Sequence, residues 1–180
     1  MIRRATAGDA AALGRVHVQA WRESYPGIVP QAVLDAQDEA ARAAMWQRVI
    51  AAGEDVWLAH DAGGALLGFA NAGPQREPEL LPFPGEIYAI YLLQAAKGRG
   101  LGRALMAAAA HGLLARGIGA ASLWVLDGNA AAQGFYAALG GRVVLRRPFP
   151  PPAEWDGTET AFAWDDLSAL AAAPRPEGGG

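Results

Sequence analysis

Residues 97–103 read Lys97-Gly98-Arg99-Gly100-Leu101-Gly102-Arg103 and join a strand-like segment, Glu86 to Leu93, to a helix-like one, Leu101 to Ala115. Alternate glycines at such a junction let the backbone turn sharply with no side chain in the way. Several N–H groups can then converge at a helix N-terminus, where they lack intrahelical partners and where the helix dipole favours negative charge. That is a phosphate-binding geometry. Lys97 and Arg99 lie inside the loop and Arg103 just beyond it. A plain, tight strand-to-helix connection accounts for the glycines equally well. Two familiar glycine-rich loops are excluded by spacing. A Walker A loop places its lysine after the second glycine, whereas Lys97 precedes the first. The dinucleotide fingerprint needs a further glycine three residues after the second, where Gly102 is followed by Arg103, Ala104 and Leu105.

The rest of the chain fits one domain over residues 1–173, with Pro174 to Gly180 as a disordered tail. Of 180 residues, 52% are hydrophobic and 18% charged, enough to bury a sizeable core. The net charge of −3 gives no electrostatic case for nucleic acid. No apolar run reaches membrane-spanning length and no signal core follows Met1, so no membrane partner is expected. The absence of cysteine excludes disulfides and thiolate metal sites and is compatible with a reducing cytoplasm, the expected location. His17, His60 and His111 lack metal-ligand spacing, and no metal is expected.

Along the chain, Ile2 to Ala5 reads as a strand. Asp9 is a candidate N-cap for a helix to Ser24, and a second helical region covers about Pro30 to Ala52. Asp55–His60 and Ala65–Ala70 flank the turn Asp61-Ala-Gly-Gly64 as a hairpin. A proline-marked loop leads to the strand before the glycines. Then come a helix, a strand at Ala121–Leu126, a helix at Ala130–Ala138 capped by Asn129, and strands at Arg142–Leu145 and Thr158–Trp164. The fold class is α/β, a mixed sheet with helices on both faces.

Two motifs carry a resemblance. Ile90-Tyr91-Leu92 precedes Lys97-Gly98-Arg99-Gly100-Leu101-Gly102, and Asn129 precedes Phe135-Tyr136-Ala-Ala-Leu139-Gly140. Together they resemble the strand-plus-loop and Asn…Phe-Tyr segments of the GNAT superfamily of N-acetyltransferases, and the order of elements is similar over nearly the whole chain. Lys97, Gln94 and Gly141 depart from the usual residues, but none removes a backbone donor. The resemblance implies a mostly antiparallel sheet with a splayed parallel strand pair, and acetyl-CoA as co-substrate. It places the pyrophosphate on Gly98, Arg99, Gly100, Leu101, Gly102 and Arg103, and the pantetheine arm on Ile90, Tyr91 and Leu92. Leu92 N–H would be the oxyanion donor, and Asn129 would bind the coenzyme as well as cap its helix.

Acetyl transfer to an amine needs a proton removed from the ammonium, an oxyanion stabilised and a thiolate protonated. By the same resemblance Tyr136 is the candidate general acid; its bare alternative is a core aromatic. Glu86 is the candidate base, against an ordinary strand-end carboxylate. Trp21, Tyr25 and Trp57 are candidates to line the acceptor site, against plain core packing, and Glu23 nearby makes a small cationic amine conceivable. His17 reads as structural, and Arg142, Arg146 and Arg147 as a solvated strand end. The expected function is acetylation of a small-molecule primary amine by direct attack in a ternary complex. Peptide or protein acetylation, or a non-catalytic acyl-CoA sensor, are the alternatives, and a homodimer is left open.

Overall fold

The computed structural model describes residues 1–149 and 157–172. The expected tail, and the prolines that extend the loop past residue 149, lie outside them. Among the described residues seven strands form one sheet, in the order β1-β2-β3-β4-β5-β7-β6. They are β1 (Ile2–Arg4), β2 (Asp55–His60), β3 (Leu66–Pro74), β4 (Gly85–Leu92), β5 (Ala121–Leu126), β6 (Arg142–Pro148) and β7 (Thr158–Trp164). Every pairing is antiparallel except β4 with β5. The helices are α1 (Ala10–Ser24), α2 (Gln31–Asp35), α3 (Glu39–Ala51), α4 (Leu101–Ala115), α5 (Ala130–Ala138) and the short α6 (Ser168–Ala171).

The sheet has two covered faces because its central strands bury both. Val56, Leu58 and Phe69 pack against Leu13, Val16 and Trp46 of α1 and α3. Ala59, Ala70, Ala72, Leu123 and Val125 pack against Leu105, Met106, Ala109 and Leu113 of α4. Alternation of side chains along each strand makes this division. Each fully buried Leu or Phe contributes about 1.5–3 kcal/mol relative to exposure. Helices α1 and α3 come very close, since a Cβ on Gly14 would lie 2.6 Å from Glu39 O and 2.7 Å from Ala43 N.

Several local expectations are corrected. Asp9 does not cap α1 with its side chain; the carboxylate takes Thr6 N–H at 2.7 Å and Arg3 Nη2 at 2.6 Å instead. The helical region after Pro30 divides in two, and Asp38 restarts it by accepting from Ala41 N–H at 2.6 Å. Strand β3 runs on to Pro74 and β6 to Pro148, because each finds a long neighbour to pair with. Helix α6 carried too few residues to show a period. Among the described residues no helix is long and apolar enough to cross a membrane.

Two irregularities in β4 shape the centre of the molecule. Its register with β3 shifts between Asn71↔Ala89 and Ala72↔Ile87, so Tyr88 is an extra residue, a β-bulge. Ile87 and Ile90 therefore both join the core under α4. On its other side β4 pairs with β5 only at Gly85↔Ala121 and Glu86↔Ser122. Beyond that point the two parallel strands diverge.

Candidate active site

A cavity of about 640 Å³ occupies the wedge between β4 and β5. Its walls are Ile87 to Leu92 on one strand and Leu123 to Leu126 on the other. From Ile87 onward the β5-facing edge of β4 has no ladder partner among the described residues. Such main-chain groups are strong hydrogen-bonding sites that need partners of some kind.

At one mouth lies the glycine loop. Gly98 and Gly100 adopt φ of 74° and 76°, conformations that a side chain disfavours, and Gly100 is the N-cap of α4. Gly102 serves a different need: a Cβ there would lie 3.1 Å from Phe135 Cζ, so the helix start packs closely on α5. Lys97, Gly98, Gly100, Gly102 and Arg103 line the cavity. Among the described residues neither Lys97 nor Arg103 forms an ion pair. Arg99 is exposed and Leu101 is buried in the core, and neither side chain lines the cavity. Asn129 lines it and caps α5, its Oδ1 accepting from Ala132 N–H at 3.1 Å. Its amide NH₂ makes no hydrogen bond among the described residues.

Tyr136 reaches the cavity from α5, while its ring packs near Phe162 and Trp164, centroids 5.8 and 6.3 Å away. Its hydroxyl makes no hydrogen bond among the described residues, and burial raises its pKa above the usual phenol value. Trp21 of α1 and Tyr25, the C-cap just past its end, line the opposite mouth, with Tyr88, Trp124 and Phe149. Tyr25 and Tyr91 share a hydroxyl–hydroxyl hydrogen bond of 3.2 Å, and His17 stacks on Tyr91 at 5.3 Å. His17 Nδ1 accepts from Trp46 Nε1 at 3.2 Å, and burial lowers its pKa to about 3, so it is neutral and structural.

Three site expectations are corrected. Trp57 lies outside the cavity: Val56 and Leu58 face α1 and α3, so alternation turns Trp57 toward α4, where a Cβ on Gly112 would lie 3.3 Å from its Nε1. Glu86 does not line the cavity either; Arg76 holds it through Nη2–Oε1 at 2.7 Å and Nε–Oε2 at 3.0 Å. Glu23 is engaged by Gln94 N–H at 2.6 Å, tying α1 to the segment after β4.

Sequence reading missed one titratable group. Glu159 is the only carboxylate lining the cavity among the described residues. Its Oε1 accepts from Arg147 Nε at 2.8 Å. Arg147 also meets Glu77 and Glu79, each at 2.9 Å, and is no solvated strand end. Only the alternation of β7, with Glu159 in phase with Ala161 and Ala163, hinted that Glu159 points inward. Arg142 pairs with Asp165 and Arg146 with Asp127.

Residues 17–140 match the Acetyltransferase (GNAT) family. An uncharacterized N-acetyltransferase of Bacillus subtilis (strain 168), YuaI, is 35% identical over 172 residues, which cover 94% of this chain and 95% of that one. The fold is similar to yncA of Salmonella typhimurium, solved with its cofactor acetyl-CoA, at TM-score 0.69, 22% identity and 97% coverage of both chains. It is likewise similar to a phosphinothricin acetyltransferase of Sinorhizobium meliloti in complex with AcCoA, at TM-score 0.69 and 20% identity, covering 99% of this chain and 94% of that one. By the extent of the family match and of the Bacillus relative, the chain belongs to the GNAT family of acetyltransferases.

Proposed function

We propose that this protein moves an acetyl group from acetyl-CoA to a primary amine of a small molecule, by direct attack with both substrates bound. The observation that carries this reading is the passage between β4 and β5, which joins a cationic glycine loop at one mouth to an aromatic cleft at the other.

The chain's own groups divide the work. N–H groups of Gly98 to Arg103 hold the pyrophosphate, with Lys97 and Arg103 adding charge. Leu93 N–H bonds to Leu67 O on β3 at 2.9 Å, so alternation turns the N–H groups of Leu92 and Ile90 to the open edge. Those groups meet the pantetheine amides, and Leu92 N–H faces the thioester oxygen, where a fixed donor stabilises developing negative charge. Asn129 offers its NH₂, which has no partner among the described residues, to the coenzyme. Acetyl-CoA supplies the activated acyl group and a thiolate leaving group. Tyr136, kept protonated by burial, gives that sulfur its proton. Glu86 is committed to Arg76, so the amine's proton leaves through water.

A thiol-release assay with acetyl-CoA across polyamines, amino acids, aminoglycosides and peptides tests the reading, alongside calorimetric titration of acetyl-CoA. Turnover with small amines is expected. Tight acetyl-CoA binding with no turnover on any amine would reject the reading in favour of a sensor, and turnover confined to peptides would reject the acceptor class.

A further inference from the structure

The cavity is polarised. Its lining cations, Lys97 and Arg103, sit at the α4 mouth, and its lining carboxylate, Glu159, sits at the other. Alternation along β7 fixes this separation. Phe162 and Trp164 lean toward Tyr136, whereas Ala161 and Ala163 face the opposite side with Trp124, and Glu159 shares their phase. Glu159 and Tyr136 thus lie on opposite faces of the sheet, joined through the gap between β4 and β5.

Glu159 is only 5% exposed, yet its Oε2 makes no hydrogen bond among the described residues. Arg147 does not neutralise it fully, because that single guanidinium also serves Glu77 and Glu79, so negative charge is in excess at this mouth. Arg147 is itself stacked 4.0 Å from the Trp124 ring centroid and cannot swing into the cavity without losing that contact. A buried carboxylate with a spare oxygen calls for a cation. Trp124 and Phe149 line the same mouth and supply apolar walls for an alkyl chain.

We infer that Glu159 selects the acceptor by binding a cationic group at its non-reacting end, so that the substrate class is a diamine or polyamine. This deepens the acetyl-transfer reading and rests on it for the reacting end. An acceptor amine entering from the α1 side presents one nitrogen to the acyl carbon near Tyr136 and leaves its second ammonium at Glu159. Burial raises the Glu159 carboxyl above its ordinary value while Arg147 opposes the shift, and an arriving ammonium removes the penalty on the charged form.

Calorimetric titration of putrescine, cadaverine and spermidine, with n-butylamine as the singly charged control, tests this without any turnover. It is done on the protein alone and on the protein holding coenzyme A. A charge-assisted hydrogen bond predicts that at least one diamine or polyamine binds the wild type about tenfold or more tightly than n-butylamine. In Glu159→Gln, checked for an unchanged fold by circular dichroism, that advantage is expected to vanish. Equal affinities of all the amines in the wild type overturn the inference with no variant needed, and so does an advantage that survives in a folded Glu159→Gln. Acetylation of other amines without a diamine preference would sink this inference and leave acetyl transfer standing. Glu159-dependent diamine binding without acetylation of any amine would do the reverse.

Discussion

Arg76 grips Glu86 on both carboxylate oxygens, and its own backbone N–H adds a third hydrogen bond to Oε2 at 3.1 Å. The guanidinium also rests 3.7 Å from the ring centroid of Tyr88, the bulged residue of β4, whose hydroxyl bonds Pro74 O at 2.7 Å. The group pins the loop after β3 onto the start of β4, just where β4 and β5 are still paired.

Glu86→Gln is therefore expected to act on stability rather than on proton transfer. The Glu86 side chain is 5% exposed and that of Arg76 60%, which places the pair between a screened surface bridge and a buried one. A loss of about 1–2 kcal/mol is expected. Denaturant unfolding measures it. The pH–rate profile should keep the acidic limb of the wild type; a displaced limb would restore Glu86 as the base.

The two loop glycines should fail differently. At Gly100, φ of 76° is costly for a β-branched residue, so Gly100→Val should distort the N-cap and weaken acetyl-CoA about tenfold, from a strain of roughly 1–2 kcal/mol. Gly102 has no such φ, but a Cβ there would lie 3.1 Å from Phe135 Cζ. Gly102→Val should therefore lower stability as well as affinity, by pushing α4 from α5. Calorimetry with thermal unfolding separates the two; acetyl-CoA affinity unchanged in both variants would reject the loop as the phosphate site.

What could be read from the sequence was what is local. The glycine loop, the caps at Asn129 and the bounds of α4, α5, β5 and β7 follow from spacing and propensity within a dozen residues. What could not be read depends on partners distant in sequence. The bulge at Tyr88 is set by register with β3, and it decides which way Glu86 faces. Arg147 reads as a surface arginine until Glu77, seventy residues earlier, is brought beside it. Trp57 is the local exception: it alternates with Val56 and Leu58 in β2, and that period by itself turns it away from the face they share.

His17 makes the fold sensitive to acid. Its pKa is lowered by burial from 6.5 to about 3, so between those values the unfolded chain binds a proton that the folded one refuses. Stability from this group is complete above pH 6.5 and is lost as pH falls toward about 3, at up to about 1.4 kcal/mol per pH unit. His60 is lowered in the same direction, so the comparison is between variants. His17→Gln should be less stable at neutral pH, having lost the Trp46 contact, and its stability should fall less between pH 6.5 and 4.5. Parallel curves for the two proteins would show that His17 does not titrate in this window.

Tyr136→Phe isolates one hydroxyl. The ring packs between Phe135, Phe162 and Trp164, and phenylalanine keeps those contacts. The hydroxyl has no hydrogen-bond partner among the described residues, so its removal leaves no fold contact broken and stability should change little. If that hydroxyl protonates the departing sulfur, acetyl-CoA affinity should hold while kcat falls by about 10²–10⁴. Burial raises the Tyr136 pKa, so the group stays a donor through neutral pH and the loss should be the same at each pH tested there. Where product release limits turnover the steady-state loss shrinks, and a single-turnover measurement exposes the chemical step. Full single-turnover activity in a folded Tyr136→Phe would reduce Tyr136 to a packing residue and leave the leaving thiolate to be protonated by water.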